Sequence, residues 1–224
     1  MESNSKQQIN WQTNVLPKET QKALEFFKNQ KWLKNSEWYL AGGTGLALQA
    51  GHRSSVDLDF FTLKKNINNN MLLLKFPKEW KTTVSEQGTI YGEIYKAKVS
   101  FIVYPFFIPK LPLLKLNNIK VLQSKEIALM KIITISQRGK KRDFFDLYWC
   151  CLNIAPLKEL ILSLKEQYPS IAHNYHHILK SLVYFDDADN DPLPRILFDA
   201  DWHSVKKFFR QEVLKITKEI LKIH

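Results

Sequence analysis

The stretch YLAGGTGLALQAGHRSSVDLDFF, residues 39–61, constrains the fold more strongly than any other part of the chain. It holds four of the seven glycines in a lysine-rich sequence and, two residues apart, the carboxylates of Asp57 and Asp59. A tight turn between a strand and a helix would explain the glycines alone. A loop that binds phosphate, followed by a strand that holds a metal ion, would explain the glycines and the aspartates together.

The glycines punctuate a predicted strand–turn–helix–strand unit. Residues 38–41 predict a short strand, Gly42-Gly43 a tight turn, and residues 44–50 a short helix with Thr44 near its N-cap. Residues 56–61 predict a second strand. The first N–H groups of such a helix lack intrahelical partners, and they therefore suit an anionic phosphate.

Two familiar phosphate-binding motifs are absent from the sequence. A Walker loop requires G-x-x-x-x-G-K-[ST], and no such string occurs. A dinucleotide fingerprint requires G-x-G-x-x-G, but after Gly43 and Gly45 the third position is Leu48. The glycines by themselves therefore favour a structural turn.

Asp57 and Asp59 change this interpretation. In a strand they point to the same face, with Cα atoms about 6.5 to 7 Å apart. Their neighbours are apolar, so the strand is predicted to be buried, where two like charges repel each other unless a cation lies between them. Mg²⁺ is the expected ion because it binds carboxylate oxygens together with substrate phosphates. In the alternative, one aspartate pairs with Arg53 and the other lies at a solvent edge.

The rest of the chain divides into two parts of different character. Extended runs are predicted around residues 80–86, 89–95 and 98–104, with Gly88 at a hairpin turn. From Ser124 onward the pattern is helical. The predicted fold class is therefore α/β (α+β), with a mixed first half and a helical second half packed closely together.

Composition limits the partners and the compartment. Thirty-three Lys and Arg against 22 Asp and Glu give a net charge of +11 (33 − 22) and a pI near 9.5, which favours polyanions, nucleic acid before membrane. The two cysteines, Cys150 and Cys151, are adjacent and have neither disulfide nor zinc spacing. Prolines interrupt the most apolar segment, VSFIVYPFFIPKLPLL, so no membrane span is expected. These features predict a cytoplasmic protein.

Two segments in order support a family resemblance. AGGTGLALQAGHRSSVDLDFF followed by RGKKRDFFDLY resembles the AbiEii/AbiGii toxin nucleotidyltransferase family, of the DNA polymerase β-like nucleotidyltransferase superfamily, over residues 38–148. A weaker similarity, YFDDADNDPLPRIL…DWHSVKKFF, extends the match to residue 209. The resemblance implies a polymerase β-like core with a mixed sheet in residues 1–122. It also implies a C-terminal helical bundle in residues 123–224 that packs on the core and completes the active-site cleft.

The same resemblance implies an activity and its partners. The family transfers a nucleoside monophosphate from an NTP held with Mg²⁺ to an acceptor hydroxyl, and pyrophosphate leaves. It implies a toxin of a toxin–antitoxin or phage-defence system, with a cognate antitoxin as a partner. Together with the basic charge, it favours an RNA acceptor, and tRNA first among RNAs.

The resemblance also assigns site residues. The catalytic candidates are the charged residues Asp57, Asp59, Lys131, Asp143 and Asp146. The nucleotide-binding candidates are Gly42, Gly43, Thr44, Arg53, Ser54, Ser55 and Lys131. In this assignment Asp57 and Asp59 ligate the metal and Lys131 reaches the triphosphate as a point charge. Asp143 and Asp146, neighbours on one helix face, orient Lys131 or serve as the base. Arg53, Ser54 and Ser55 contact phosphate, or form only the hydrogen bonds of a turn.

One position departs from the superfamily pattern. A third carboxylate usually stands on a neighbouring strand and completes a two-metal site, but within KVSFIVY the corresponding residue is Ser100. Glu93 on the preceding extended run is one replacement, and Asp143 or Asp146 from the helical half is another. The basic run RGKKR is either a contact for an RNA backbone or a solvated loop.

Two other functions therefore stay open at this point. The missing carboxylate is compatible with a catalytically silent module that binds nucleotide or RNA with the same fold. A Mg²⁺-dependent nuclease also needs paired aspartates, but it leaves the Gly-Gly-Thr turn unexplained.

Overall fold

The computed structural model describes residues 9–221. Its strands are β1 (Tyr39–Ala41), β2 (Leu58–Thr62), β3 (Lys81–Glu86), β4 (Thr89–Ile94), β5 (Ala97–Val103), β6 (Leu114–Leu116) and β7 (Ile119–Val121). Its α-helices are α1 (Lys18–Lys28), α2 (Lys31–Lys34), α3 (Gly42–Ala50), α4 (Asn69–Leu73), α5 (Ser124–Arg138), α6 (Lys141–Asn153), α7 (Leu157–Gln167), α8 (Tyr175–Ser181), α9 (Asp186–Asp189) and α10 (Trp202–Leu221). A short 3₁₀ turn at Thr13–Val15 precedes α1.

The strands form one seven-stranded sheet in the order β3-β4-β5-β2-β1-β7-β6. Two neighbouring pairs, β2 with β5 and β1 with β7, are parallel, whereas the other four pairs are antiparallel. The sheet is therefore mixed, as the sequence predicts. The strand β2, which contains Asp59 and begins directly after Asp57, lies in its centre.

The two faces of the sheet have different roles. Along β2, Leu58 and Phe60 are fully buried on one face, where the ring of Phe60 lies 5.1 Å from that of Phe27 in α1. Successive residues of a strand point to opposite faces, so Asp59 and Phe61 point to the other face. The first face is thus a closed apolar layer, and the second is free to form a cleft.

Helices of the second half cover the far end of that second face. Leu46 of α3 belongs to the same buried cluster as Ile127 and Ile132 of α5. Gln49 reinforces the contact, because its amide donates to the Leu122 carbonyl and accepts from the Ser124 N–H at 3.0 Å. The division into domains at residues 122 and 123 stays a prediction, although the sheet does end at Val121 and the helices do resume at Ser124.

The predicted elements differ from the observed ones mainly at their ends. The helix predicted at residues 44–50 begins earlier, at Gly42, and the strand predicted at residues 56–61 begins later, at Leu58. The hairpin of β6 and β7 was not predicted. Its signal was present, because the apolar residues of LKLNNIKV alternate on both sides of an Asn-Asn turn.

Within residues 9–221, no single helix has the length and apolar character needed to cross a membrane. The successive helices Lys141–Asn153 and Leu157–Gln167 meet that criterion only when taken together, and they are bent by 107°.

Candidate active site

A cavity of about 570 Å³ lies between the open face of the sheet and α5. Seven of the predicted site residues line it: Gly42, Gly43, Arg53, Ser55, Asp57, Asp59 and Lys131. The structure therefore places the paired aspartates, the two glycines of the turn and Lys131 around one cleft. Volumes of this size are typical of sites for small molecules and cofactors.

Both glycines of the turn are required by close approaches inside this cavity. Gly42 has a φ of +63°, and a Cβ there would lie 2.8 Å from the Oδ2 atom of Asp59. A Cβ on Gly43 would lie only 2.4 Å from the Nη2 atom of Arg53. The glycines thus let the start of α3 pack directly against one carboxylate and one guanidinium.

Asp57 and Asp59 present their carboxylates to the same space. Asp57 stands just before β2, where 30% of its side chain is exposed, and its Oδ2 lies 3.7 Å from Nη1 of Arg142. Asp59 accepts a hydrogen bond of 2.6 Å from Ser100 Oγ. Burial, together with the negative charge of Asp57, raises the pKa of Asp59 despite that hydrogen bond. Such a strained pair favours a bound cation.

Ser100 is the residue at the position where the family resemblance predicts a third carboxylate. It lies directly beside Asp59 in the parallel register of β2 and β5. Glu93 also lines the cavity, from β4, one strand further away. Among the described residues, no three His, Cys, Asp or Glu side chains are grouped as ligands of one metal ion. Two carboxylates in an open cavity still fit Mg²⁺, because this ion retains water and takes phosphate oxygens from its substrate.

Lys131 reaches the cavity from α5, where two buried carboxylates hold its ammonium group. Its Nζ lies 2.6 Å from Asp143 Oδ1 and 2.6 Å from Asp146 Oδ2. Burial alone would lower the pKa of Lys131, but the two aspartates outweigh it and raise the pKa above its ordinary value. Lys131 is therefore a fixed positive charge.

Asp143 and Asp146 do not face the cavity themselves. Both are fully buried, and neither belongs to its lining. The alternative that they orient Lys131 agrees with this placement. A role of Asp143 or Asp146 as the base, or as the third metal ligand, disagrees with this placement, because cationic side chains already contact their carboxylate oxygens.

Arg53 and His52 complete this buried ionic cluster. Arg53 grips Asp146 with two donors, Nε at 2.5 Å and Nη2 at 2.8 Å, so the alternative in which it neutralises one of the paired aspartates is wrong. Burial alone would raise the pKa of Asp146, but Arg53 and Lys131 outweigh it and hold that pKa well below the ordinary value. His52 Nε2 lies 2.7 Å from Asp146 Oδ1, and burial lowers the pKa of His52. His52 is therefore neutral and donates through Nε2.

Thr44 and the two serines have different placements. Thr44 is buried, and its hydroxyl donates to the Asp57 carbonyl and lies 2.9 Å from Ser55 Oγ. Its side chain shapes the loop before β2 and does not line the cavity, so the nucleotide-binding role of Thr44 stays a prediction. Ser54 also lies outside the lining, and its N–H donates to the Arg195 carbonyl. Ser55 does line the cavity.

With this geometry established, comparison with known families decides the identity. Residues 31–219 match the family described as nucleotidyl transferase AbiEii toxin, type IV toxin–antitoxin system. The chain belongs to this family. It is a toxin nucleotidyltransferase, and the resemblance seen in the sequence is confirmed.

Relatives and solved structures agree with membership in the AbiEii family. An uncharacterized protein of Aquifex aeolicus strain VF5 is 35% identical over 185 residues, which cover 80% of this chain and 87% of the relative. The crystal structure of JHP933 from Helicobacter pylori has a TM-score of 0.50 at 16% identity, covering 92% of this chain and 95% of that one. MenT4, a nucleotidyltransferase toxin of Mycobacterium tuberculosis H37Rv, has a TM-score of 0.50 at 14% identity, covering 90% and 86%. The two structures share the fold.

The AbiEii match includes the weaker downstream segment, and the fold explains why that segment belongs to the site. Residues around Ile196 form a bridge with Arg53. The Leu197 N–H donates to the His52 carbonyl at 2.8 Å. The segment around Ile196 and Leu197 therefore stabilises the loop that carries His52 and Arg53, the two members of the ionic cluster from the first half of the chain.

The basic run RGKKR of this AbiEii-family chain is only partly a solvated loop. Lys141 is buried and donates to the Asp191 carbonyl, while Lys140 Nζ lies 3.1 Å from Asp191 Oδ1. Arg138 and Arg142 line the cavity with about half of each side chain exposed. Sequence reasoning missed these two arginines as site residues, because the turn at Gly139 sends them toward the cleft only in the folded chain.

Proposed function

We propose that this AbiEii-family toxin transfers a nucleoside monophosphate from an NTP to an RNA acceptor in the cytoplasm, with Mg²⁺ as its metal ion. One observation carries the proposal. The carboxylates of Asp57 and Asp59 line the same cavity as the glycine turn and the fixed charge of Lys131. Nucleotidyl transfer needs this combination, because a metal-held triphosphate must be positioned and its charge neutralised.

The triphosphate is assigned to the cationic side of the cavity. Lys131 and Arg53 are held there by buried carboxylates, and Arg138 and Arg142 lie at the adjoining edge. The start of α3 lines the same space at Gly42 and Gly43, and the first N–H groups of a helix lack intrahelical partners and suit phosphate. Cations fixed in advance stabilise phosphate charge without reorganising during the reaction.

Asp57 and Asp59 are the residues that would hold Mg²⁺. The bound ion would supply positive charge to the phosphates of the NTP. The two aspartates fit that role because burial and their mutual repulsion leave Asp59 with a raised pKa, which a cation would reverse.

The nucleoside is assigned to the apolar end of the cavity. Phe61 lies two residues beyond Asp59 on β2, and Ile102, Tyr104 and Met130 line the same region. Apolar and aromatic side chains are the usual surroundings of a bound base.

The RNA acceptor and the antitoxin are supported by analogy and by charge. The net charge of +11 favours a polyanion. Among RNAs, the family analogy favours tRNA. Membership in a type IV toxin–antitoxin family implies a cognate antitoxin.

A single incubation tests the proposal against its rivals. Purified protein is mixed with Mg²⁺, each labelled NTP in turn and total RNA, with Asp57→Asn as the inactive control. Label gained by RNA supports the proposal. Unlabelled, intact RNA would instead favour a silent binding module, the alternative that Ser100 at the carboxylate position motivates, and shortened RNA would indicate a nuclease.

A further inference from the structure

The outer wall of the cavity is formed by residues that neither the metal site nor the triphosphate site uses. In the register of β2, β5 and β4, Asp59 lies beside Ser100 and Ser100 lies opposite Tyr91. Lys98 and Glu93 form the next pair on the same face. Tyr91, Glu93 and Lys98 all line the cavity, and we call them the β4–β5 wall.

The geometry of the reaction decides which substrate this wall faces. In phosphoryl transfer the attacking and leaving oxygens are roughly in line across the phosphorus. The acceptor oxygen bonds to the α-phosphorus as the bond to pyrophosphate breaks, and the hydroxyl proton passes to water. Pyrophosphate leaves on the side of α3 and Lys131, next to β1. The acceptor must therefore approach from the opposite side of Asp59, which is β5 and β4.

From this placement we infer that the β4–β5 wall binds the acceptor end of the RNA, with the terminal base stacked on Tyr91 and a backbone phosphate beside Lys98. The inference rests on the proposed function. It assigns the wall to single-stranded RNA, because a base can stack on an aromatic ring only when it is free of a helix.

The exposure and shape of the wall suit that ligand. Tyr91 is 44% exposed and lines the cavity, so its side chain is accessible to a ligand there. Lys98 is exposed beside it; Glu93 lies opposite it in register, but within residues 9–221 no carboxylate lies within ion-pair distance of the Lys98 ammonium. A β-bulge in β3 between Thr82 and Val84 turns Thr83 toward the same space. An aromatic ring next to a free cation is the usual combination for single-stranded nucleic acid.

The test compares two substitutions of Tyr91 with a matched control. Tyr91→Ala removes the ring, Tyr91→Phe keeps it, and Tyr184→Ala removes a tyrosine of similar exposure, 49%, outside the cavity. We expect Tyr91→Ala to raise the KM for RNA about tenfold or more, with NTP affinity by calorimetry unchanged. Tyr91→Phe should restore most of the RNA affinity that Tyr91→Ala loses, because it keeps the ring, and only Tyr184→Ala should behave as the wild type. Anisotropy of a labelled single-stranded oligoribonucleotide gives the same comparison without turnover.

Three outcomes would overturn the inference and are distinguishable from each other. An equal KM for RNA in the wild type and Tyr91→Ala would remove the acceptor subsite while leaving nucleotidyl transfer intact. Weaker NTP binding with an unchanged KM for RNA would assign the wall to the nucleoside. Label in protein, or in no macromolecule, would contradict the proposed function itself.

Discussion

Asp57 and Asp59 illustrate how a side chain can lower stability while serving a site. Burial and mutual repulsion raise the pKa of Asp59, and Ser100 Oγ offsets this only in part. Lys131 shows the opposite case, since the two carboxylates below it more than compensate for its burial. The charge of the aspartate pair is therefore left for a bound cation to neutralise, whereas the charge of Lys131 is already neutralised by carboxylates of the protein.

Replacing one of the paired aspartates should separate activity from stability. In Asp57→Asn or Asp59→Asn, repulsion is relieved, so the melting temperature without metal should be equal or higher. Transfer activity should fall on the order of a hundredfold or more, because an anionic metal ligand is lost. Asp187→Asn, on the exposed helix α9, is the control. Toxicity on expression that survives both substitutions at equal protein levels would contradict the assigned role.

Lys131→Ala should weaken both NTP binding and the fold. The substitution leaves Asp143 and Asp146 short of one buried partner, which typically costs about 3–5 kcal/mol. Urea unfolding and NTP calorimetry, at a temperature where the variant is native, measure the two effects. Lys125→Ala, which breaks an exposed pair with Glu159, should change neither. Unaltered NTP affinity would remove Lys131 from the site.

His52 should make stability depend on pH in the mildly acidic range. Burial lowers its pKa in the folded state, so below about pH 6.5 the unfolded chain binds a proton that the folded chain does not. Stability should therefore fall as the pH falls from that value, by up to about 1.4 kcal/mol per pH unit from this residue. His52→Gln keeps a donor for Asp146 and should remove that part of the slope. An equal change with pH in the free energy of unfolding of the wild type and His52→Gln, measured by urea unfolding between pH 6.5 and 5, would contradict this account.

At the scale of elements, the site depends on strand register and on the start of helix α3. The parallel register of β2 and β5 puts Ser100 beside Asp59, and the abrupt start of α3 at Gly42 leaves room for that carboxylate. A slip of one residue would turn Asp59 to the opposite, apolar face. The position of the Asp59 carboxylate in the active site is therefore fixed by the same strand register that packs the apolar face of the sheet.

Ser100→Asp should restore a third carboxylate at this register. Without metal, three like charges on one face should destabilise the protein by about 2 kcal/mol. Mg²⁺ should then raise the melting temperature of the variant more than that of the wild type, because the ion gains a ligand. Ser85→Asp, on the exposed strand β3, is the control. Equal Mg²⁺ shifts in all three proteins would mean that this strand row does not hold the ion.

At the scale of the whole molecule, the two halves of the chain share one buried ionic cluster. His52 and Arg53 come from the first half, and Lys131 and Asp146 come from the second. The hydrophobic cluster that contains Leu46 also crosses the boundary. Neither half can therefore be removed without leaving charges and apolar side chains of the other half exposed or unpaired.

The chain should consequently unfold in a single transition. Tryptophan fluorescence reports mainly on the first half, which holds four of the six tryptophans: Trp11, Trp32, Trp38 and Trp80. Far-ultraviolet circular dichroism reports mainly on the helical second half. The two melting curves should coincide. In Asp146→Ala both should shift to lower temperature together, since the variant leaves Arg53 and Lys131 without a shared partner. Two separated transitions would instead support independent domains.

The sequence by itself determined the features that depend on neighbouring residues. Alternation placed Asp57 and Asp59 beside an apolar strand face, and the glycine turn before them identified the cleft, because both signals act within a few residues. The family resemblance added Lys131, and helical spacing made Asp143 and Asp146 neighbours. The same resemblance pointed to Ser100 on a strand next to that of Asp59.

Only the tertiary structure decided which partners those residues take. Arg53 pairs with Asp146, 93 positions away, instead of with Asp57 or Asp59, and no local pattern encodes a contact of that separation. The hydroxyl of Thr44 turned to the loop before β2, and Arg138 and Arg142 entered the cavity through a turn in the helical half. Buried charges must find partners wherever the packed chain brings them, so the assignment of each charge depends on how all the elements meet.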